Sequence, residues 1–120
     1  MIELLEGFPP NVVAVRASGQ ISSKDYETVL TPKVEAAFAT HGKVSVYYEV
    51  EGDTLGFEPG AMWADLRLGM GHITGWDKVA VVTDIPWLRH ATEFFRFMMP
   101  AEARVFGLTE ADAARTWISA

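Results

Sequence analysis

Residues 76–120 alternate between two periodicities, and that alternation restricts the chain to one class of fold. Lys78-Val79-Ala80-Val81-Val82-Thr83-Asp84 is a short β-branched run that closes on polar residues. Residues 85–99 carry aromatic and aliphatic side chains at helical spacing. Ala103-Arg104-Val105-Phe106-Gly107 is a second short strand, and residues 109–119 form a capped helix. Strand, helix, strand, helix in this order requires an α/β layer structure with a part-parallel sheet, because parallel neighbours need a long crossover and a helix supplies it.

The first half fits the same architecture. Residues 2–6 read as a strand, and Gly7-Phe8-Pro9-Pro10-Asn11 as a turn that lets the strand at 12–17 pair back antiparallel. A helix opens near Ser22, where Asp25 stands three residues on in a capping-box arrangement. Tyr26, Val29, Leu30, Val34, Ala37 and Phe38 recur at helical spacing, and His41-Gly42 stops the helix. Pro32 lies within this pattern and predicts a kink or a restart, because it lacks the N–H that the helical ladder needs. Residues 44–50 form a third strand, 52–56 a loop, and 59–72 a second helix with Pro59 in its first turn. The expected order is β-β-α-β-α-β-α-β-α: a mixed sheet, its first strand antiparallel at one side, packed by four helices.

At 120 residues and 49% hydrophobic, the chain is expected to be one domain, spanning 1–120, with a genuine core. Its net charge of −6 and scattered Lys and Arg argue against nucleic acid and against anionic membrane surfaces. No apolar run approaches the length of an integral membrane segment, and the first residues lack the pattern of a signal peptide, so a cytoplasmic location is expected. The absence of cysteine excludes disulfides, thiolate catalysis and cysteine-based zinc sites. No Walker loop, nucleophile elbow or His-Glu-x-x-His occurs. Gly69-Met70-Gly71-His72-Ile73-Thr74-Gly75 resembles a dinucleotide loop, but its spacing is wrong and it follows a helix. His41, His72 and His90 fall on separate elements, so no metal, cofactor or catalytic set is expected.

The remaining candidates point to binding. In the third helix Trp87, Leu88, Ala91, Phe94, Phe95, Met98 and Met99 share one stripe, which reads mainly as core. Phe97 falls outside that stripe. It suggests a contact with a second subunit, flanked by Phe94 and Met98. In the second helix Asp65 and His72 share a side about 10 Å apart along the axis, too far to bond one another. Asp84 ends a strand, where α/β sheets place ligand crevices, and it is equally suited to cap the helix that follows. Trp63, Trp87 and Phe97 are the candidate apolar wall of a pocket, with Asp65, His72 and Asp84 orienting a polar end.

The order of elements resembles the STAS fold of anti-sigma-factor antagonists. The closer resemblance is to the SpoIIAA-like family of small bacterial proteins, relatives of STAS and CRAL-TRIO lipid-carrier domains. It is carried by Leu30-Thr31-Pro32-Lys33-Val34-Glu35, His41-Gly42-Lys43-Val44, Ala64-Asp65-Leu66-Arg67-Leu68-Gly69 with His72, residues 79–84 with Trp87, residues 103–106 and residues 113–118. The resemblance implies a STAS-like fold and a non-enzymatic module for a small apolar or lipid-like molecule or a protein partner. It leaves two alternatives: a regulator that docks a partner in the manner of an anti-sigma-factor antagonist, and an enzyme with a dispersed site. STAS antagonists switched by phosphate carry Asp-Ser-Ser/Thr-Gly after the third strand. This chain has Asp53-Thr54-Leu55-Gly56, with leucine at the acceptor position and Thr54 one residue away. A homodimer and no cofactor complete the expectations.

Overall fold

The computed structural model describes residues 1–20, 23–52, 76–95 and 102–120. Among them β1 (Ile2–Leu4), β2 (Val12–Ala17), β3 (Val44–Val50), β4 (Trp76–Thr83) and β5 (Glu102–Phe106) form one sheet in the order β1-β2-β3-β4-β5. β1 is antiparallel to β2, and every later pair is parallel. The expected mixed α/β sheet, with its first strand antiparallel at one side, is the observed one.

The local chemistry explains the turn between β1 and β2. Gly7 takes a φ of +86°, a conformation that side chains oppose. The Val12 N–H donates to the Pro9 carbonyl at 3.0 Å and closes the turn. The proline at 32 acts as a restart. A short helix α1 (Ser23–Asp25) widens into a π-helical turn (Tyr26–Leu30), and α2 (Thr31–Thr40) begins afresh with proline in its first turn. An α-helical ladder cannot pass Pro32 unbroken, and a wider turn ahead of it absorbs the missing donor. The His41 N–H donates to the Ala37 carbonyl as the chain turns extended and leaves the helix. Later come α3 (Pro86–Phe95), a 3-10 turn (Leu108–Glu110) and α4 (Ala111–Ser119).

Strands β2 and β3 keep their expected bounds. β1 is shorter, ending at Leu4, while β4 begins earlier, at Trp76, where it pairs with Val44. The expected helix at 59–72 and the continuation of α3 beyond residue 95 lie outside the described residues.

Alternation along the strands divides the core in two. One face buries Val13, Val15, Val46, Tyr48, Val79 and Val81 beneath Leu30, Val34 and Ala37 of the first helical segment and Leu88 of α3. The other buries Val12, Ala14, Tyr47, Ala80 and Val82 beneath Ala114 and Ile118 of α4. Parallel strands covered on both faces read as unbroken apolar runs, and all seven positions of β3 are buried. Successive crossovers of one hand that advance in one direction across a sheet return on one face. This is where α2 and α3 lie, and α4 is left to cover the other.

Candidate functional site

The chain leaves β4 for α3 on one face and leaves β5 for α4 on the opposite face. Two neighbouring parallel strands whose outgoing connections part in this way leave a crevice at their carboxyl ends, the usual ligand position in α/β sheets. Thr83, Asp84, Arg89, Gly107, Leu108 and Glu110 gather there.

Their polar groups are bonded across the crevice. Asp84 Oδ1 accepts the Leu108 N–H at 3.1 Å, joining the end of β4 to the 3-10 turn after β5. Arg89 Nη1 donates to the Thr83 carbonyl at 2.9 Å, and Thr83 Oγ1 accepts the Ile85 N–H at 3.1 Å. Glu110 reaches back, its Oε1 accepting the Gly107 N–H at 2.8 Å. A β-carbon at position 107 would lie 3.0 Å from Asp84 Oδ1 and 3.3 Å from Glu110 Oε1. Glycine eases the close approach of these two carboxylates here, and its backbone angle is ordinary, with φ at −77°.

Of the residues singled out in the sequence, Asp84 is brought to this crevice, and Trp87 lies in the first turn of α3, the helix that leaves it. Asp84 is exposed and acts as a cap. It caps the turn that opens toward α4, because the open ends of β4 and β5 lie side by side. Trp87, expected on the apolar stripe of α3, is 44% exposed. Among the described side chains of that helix, Leu88 and the hydroxyl-bearing Thr92 are buried, and Thr92 Oγ1 donates to the Leu88 carbonyl at 2.9 Å. Only the backbone of Phe94 is described. Thr54, Trp63, Asp65, His72, Phe97 and Met98 lie outside the described residues. Among the described residues no group of three or more His, Cys, Asp or Glu is placed to hold a metal ion.

A second polar cluster, on the α4 face, was not anticipated. Glu49 on β3 is 7% exposed and stands opposite Arg16 of β2 in the sheet register. Its Oε2 accepts from Arg16 Nε at 2.5 Å, and its Oε1 accepts the Tyr47 hydroxyl at 2.8 Å. Glu51 Oε1 lies 3.5 Å from the same Arg16 nitrogen. The Phe8 ring packs on Tyr47 at 4.9 Å, and the Arg115 guanidinium stacks on Phe8 at 4.5 Å. Burial, then the bond to Glu49, pushes the Tyr47 hydroxyl up from its ordinary value. The bond to Glu49 and its charge likewise raise Arg16. The available signal was a charge in each of two otherwise apolar strands, Arg16 in VVAVRA and Glu49 in VSVYYEV. Charges so placed must find one another, because an unpaired buried carboxylate is too costly to keep.

Comparison with known proteins agrees with this architecture. The family model described as SpoIIAA-like matches residues 12–119. A crystal structure of an uncharacterized protein of the DUF3478 family with a SpoIIAA-like fold, from Shewanella loihica, superposes with a TM-score of 0.69. The two sequences are 24% identical, and the match covers 98% of this chain and 92% of that one. No curated protein matches the chain.

Proposed function

The chain belongs to the SpoIIAA-like family, and on that premise we propose that it is a non-enzymatic cytoplasmic binding module that takes its ligand at the carboxyl edge of β4 and β5. The ligand is a small apolar or lipid-like molecule, or an apolar segment of a protein partner. One observation supports this reading: an exposed tryptophan, Trp87, follows Asp84 by three residues in the first turn of α3, next in the chain to a crevice whose polar groups are bonded within the frame. Fixed polar groups beside an exposed aromatic surface favour holding a molecule over transforming it. Trp63, Asp65 and His72 join the proposal on their sequence positions alone.

The test is native mass spectrometry of the purified chain and of Trp87→Ala. The expected result is a small retained mass on the parent chain that is absent from a folded Trp87→Ala. A retained mass indifferent to that change removes Trp87 from the site. We also propose a homodimer through Phe97, with Phe94 and Met98 beside it. Phe97→Glu is expected to shift sedimentation toward monomer, and an unchanged dimer rejects that interface.

The family supports a second reading, a regulator that docks a protein through the loop at Asp53-Thr54. Capture of a partner that Thr54→Ala leaves intact and Trp87→Ala abolishes favours the crevice over that loop.

A further inference from the structure

We infer that the outer edge of β1, together with the groove beside it, accepts an extended acidic–apolar segment of another protein as a sixth strand. Among the described residues the backbone pairing leaves this edge open. The Ser18 N–H donates to the Met1 carbonyl, and the Leu5 N–H donates to the Ala14 carbonyl. Glu3 is paired with Arg16 between them. Residues 1, 3 and 5 therefore direct their backbone groups toward β2, and Ile2 and Leu4 direct theirs away from the sheet. No strand among the described residues lies beyond β1. The strand is held from behind by the amino group of Met1, which donates to the carbonyls of Ser18 and Gln20 at 2.6 Å each.

An open groove of about 350 Å³ runs along this edge, on the face that carries α2. Leu4, Val29, Pro32 and Ala36 line it, with Thr28 and Lys33. Positions 29, 32, 33 and 36 repeat at helical spacing, one turn round from the buried Leu30, Val34 and Ala37. Leu4 is 48% exposed. A strand added to β1 sends alternate side chains toward α2, and an apolar one there covers Leu4 and Pro32. Backbone bonds to an open edge supply affinity and a flanking groove supplies selection, the established logic of strand addition.

Charge identifies the occupant. Lys33 is the one charged residue lining the groove, it is exposed, and no ion pair among the described residues uses it. It calls for an acidic side chain beside the apolar one. A second copy of this chain fits poorly. An antiparallel pairing that uses both outward residues, Ile2 against Leu4, sets Glu3 opposite Glu3, and like charges directly opposite are destabilising.

The experiment selects peptides from a displayed random library on the intact chain, then measures binding of a synthetic copy of the enriched sequence. The expected winners alternate apolar residues at every second position and carry Asp or Glu. Leu4→Pro removes an outward N–H without touching the β1–β2 ladder and is expected to weaken binding about tenfold. Lys33→Glu acts in the same direction. Should Leu4→Pro not fold, Ala36→Trp fills the groove from an exposed helix position and is expected to abolish binding. Amide exchange at Ile2 and Leu4 should slow when peptide is bound. The proposal is overturned if no peptide is enriched or if the winners lack alternation. It is also overturned if binding survives both Leu4→Pro and Ala36→Trp, or if the edge is found paired with a second copy.

Discussion

The two faces of the sheet are built from the same strands, yet they solve different problems. The face beneath α2 and α3 is mostly hydrocarbon, where Val13, Val15, Val46, Val79 and Val81 meet Leu30, Val34 and Leu88, with Tyr48, Thr83 and Thr92 as its buried hydroxyls and no buried charge among the described residues. The face beneath α4 begins the same way, with Val12, Ala14 and Ala80, but toward the carboxyl ends of β2 and β3 it turns to Tyr47, Glu49 and Arg16. The first face is held by burial, which is tolerant of detail at about 25 cal/mol per Å². The second is held by directional bonds, for which every member must be present.

The comparison is broken most severely on the hydrocarbon face. Leu30 is fully buried, and Leu30→Ala should cost about 2–5 kcal/mol of unfolding free energy in urea titrations. A loss below about 1 kcal/mol would mean that the π-helical turn ahead of α2 does not carry the core. On the polar face Glu49→Ala leaves the Tyr47 hydroxyl without its acceptor, and Arg16 keeps only Glu51. A loss of about 1–3 kcal/mol is expected, moderated because the Arg16 side chain is 41% exposed.

The polar face also has a pH signature. The Tyr47 hydroxyl is raised above its ordinary value of 10.0 in the folded chain. Its contribution is therefore fully present below pH 10 and is lost as pH rises toward the higher folded value, with a limiting slope of about 1.4 kcal/mol per pH unit. Denaturation curves at pH 9 and above should show the parent chain losing stability faster than Tyr47→Phe. Parallel curves would deny the buried hydroxyl its role.

At the crevice the effects are smaller. Asp84→Ala should cost about 1 kcal/mol, the worth of one cap. Gly107→Ala displaces the same carboxylate, so the two changes together should cost less than their sum. Simple additivity would show that Asp84 and Gly107 act separately. Trp87→Ala, at a half-exposed position, should leave the chain folded in denaturation curves while removing the bound ligand.

This contrast also explains what could be read from the sequence. The hydrocarbon face is written in periodicity, and β2, β3 and the restart at Pro32 emerged at or near their observed positions. The polar cluster and the crevice depend on which strand lies beside which, and residue type alone does not encode that register. Asp84 was legible as a cap, but its partner, Leu108, belongs to the next strand's exit and needed the β4–β5 neighbourhood to be known. Trp87 could be read both as part of the α3 stripe and as a pocket wall, and its exposure could not, because helical spacing orders residues around an axis without saying where the sheet ends beneath them.

The strand order has one more consequence. From β1 to β5 each strand pairs with the one before it in the chain. Every pairing becomes available as soon as its second strand has been synthesised, and none waits for a distant segment. Such a sheet grows outward from its first hairpin as the ribosome delivers it, so the loop-closure cost of each step is set by one crossover and not by the length of the protein.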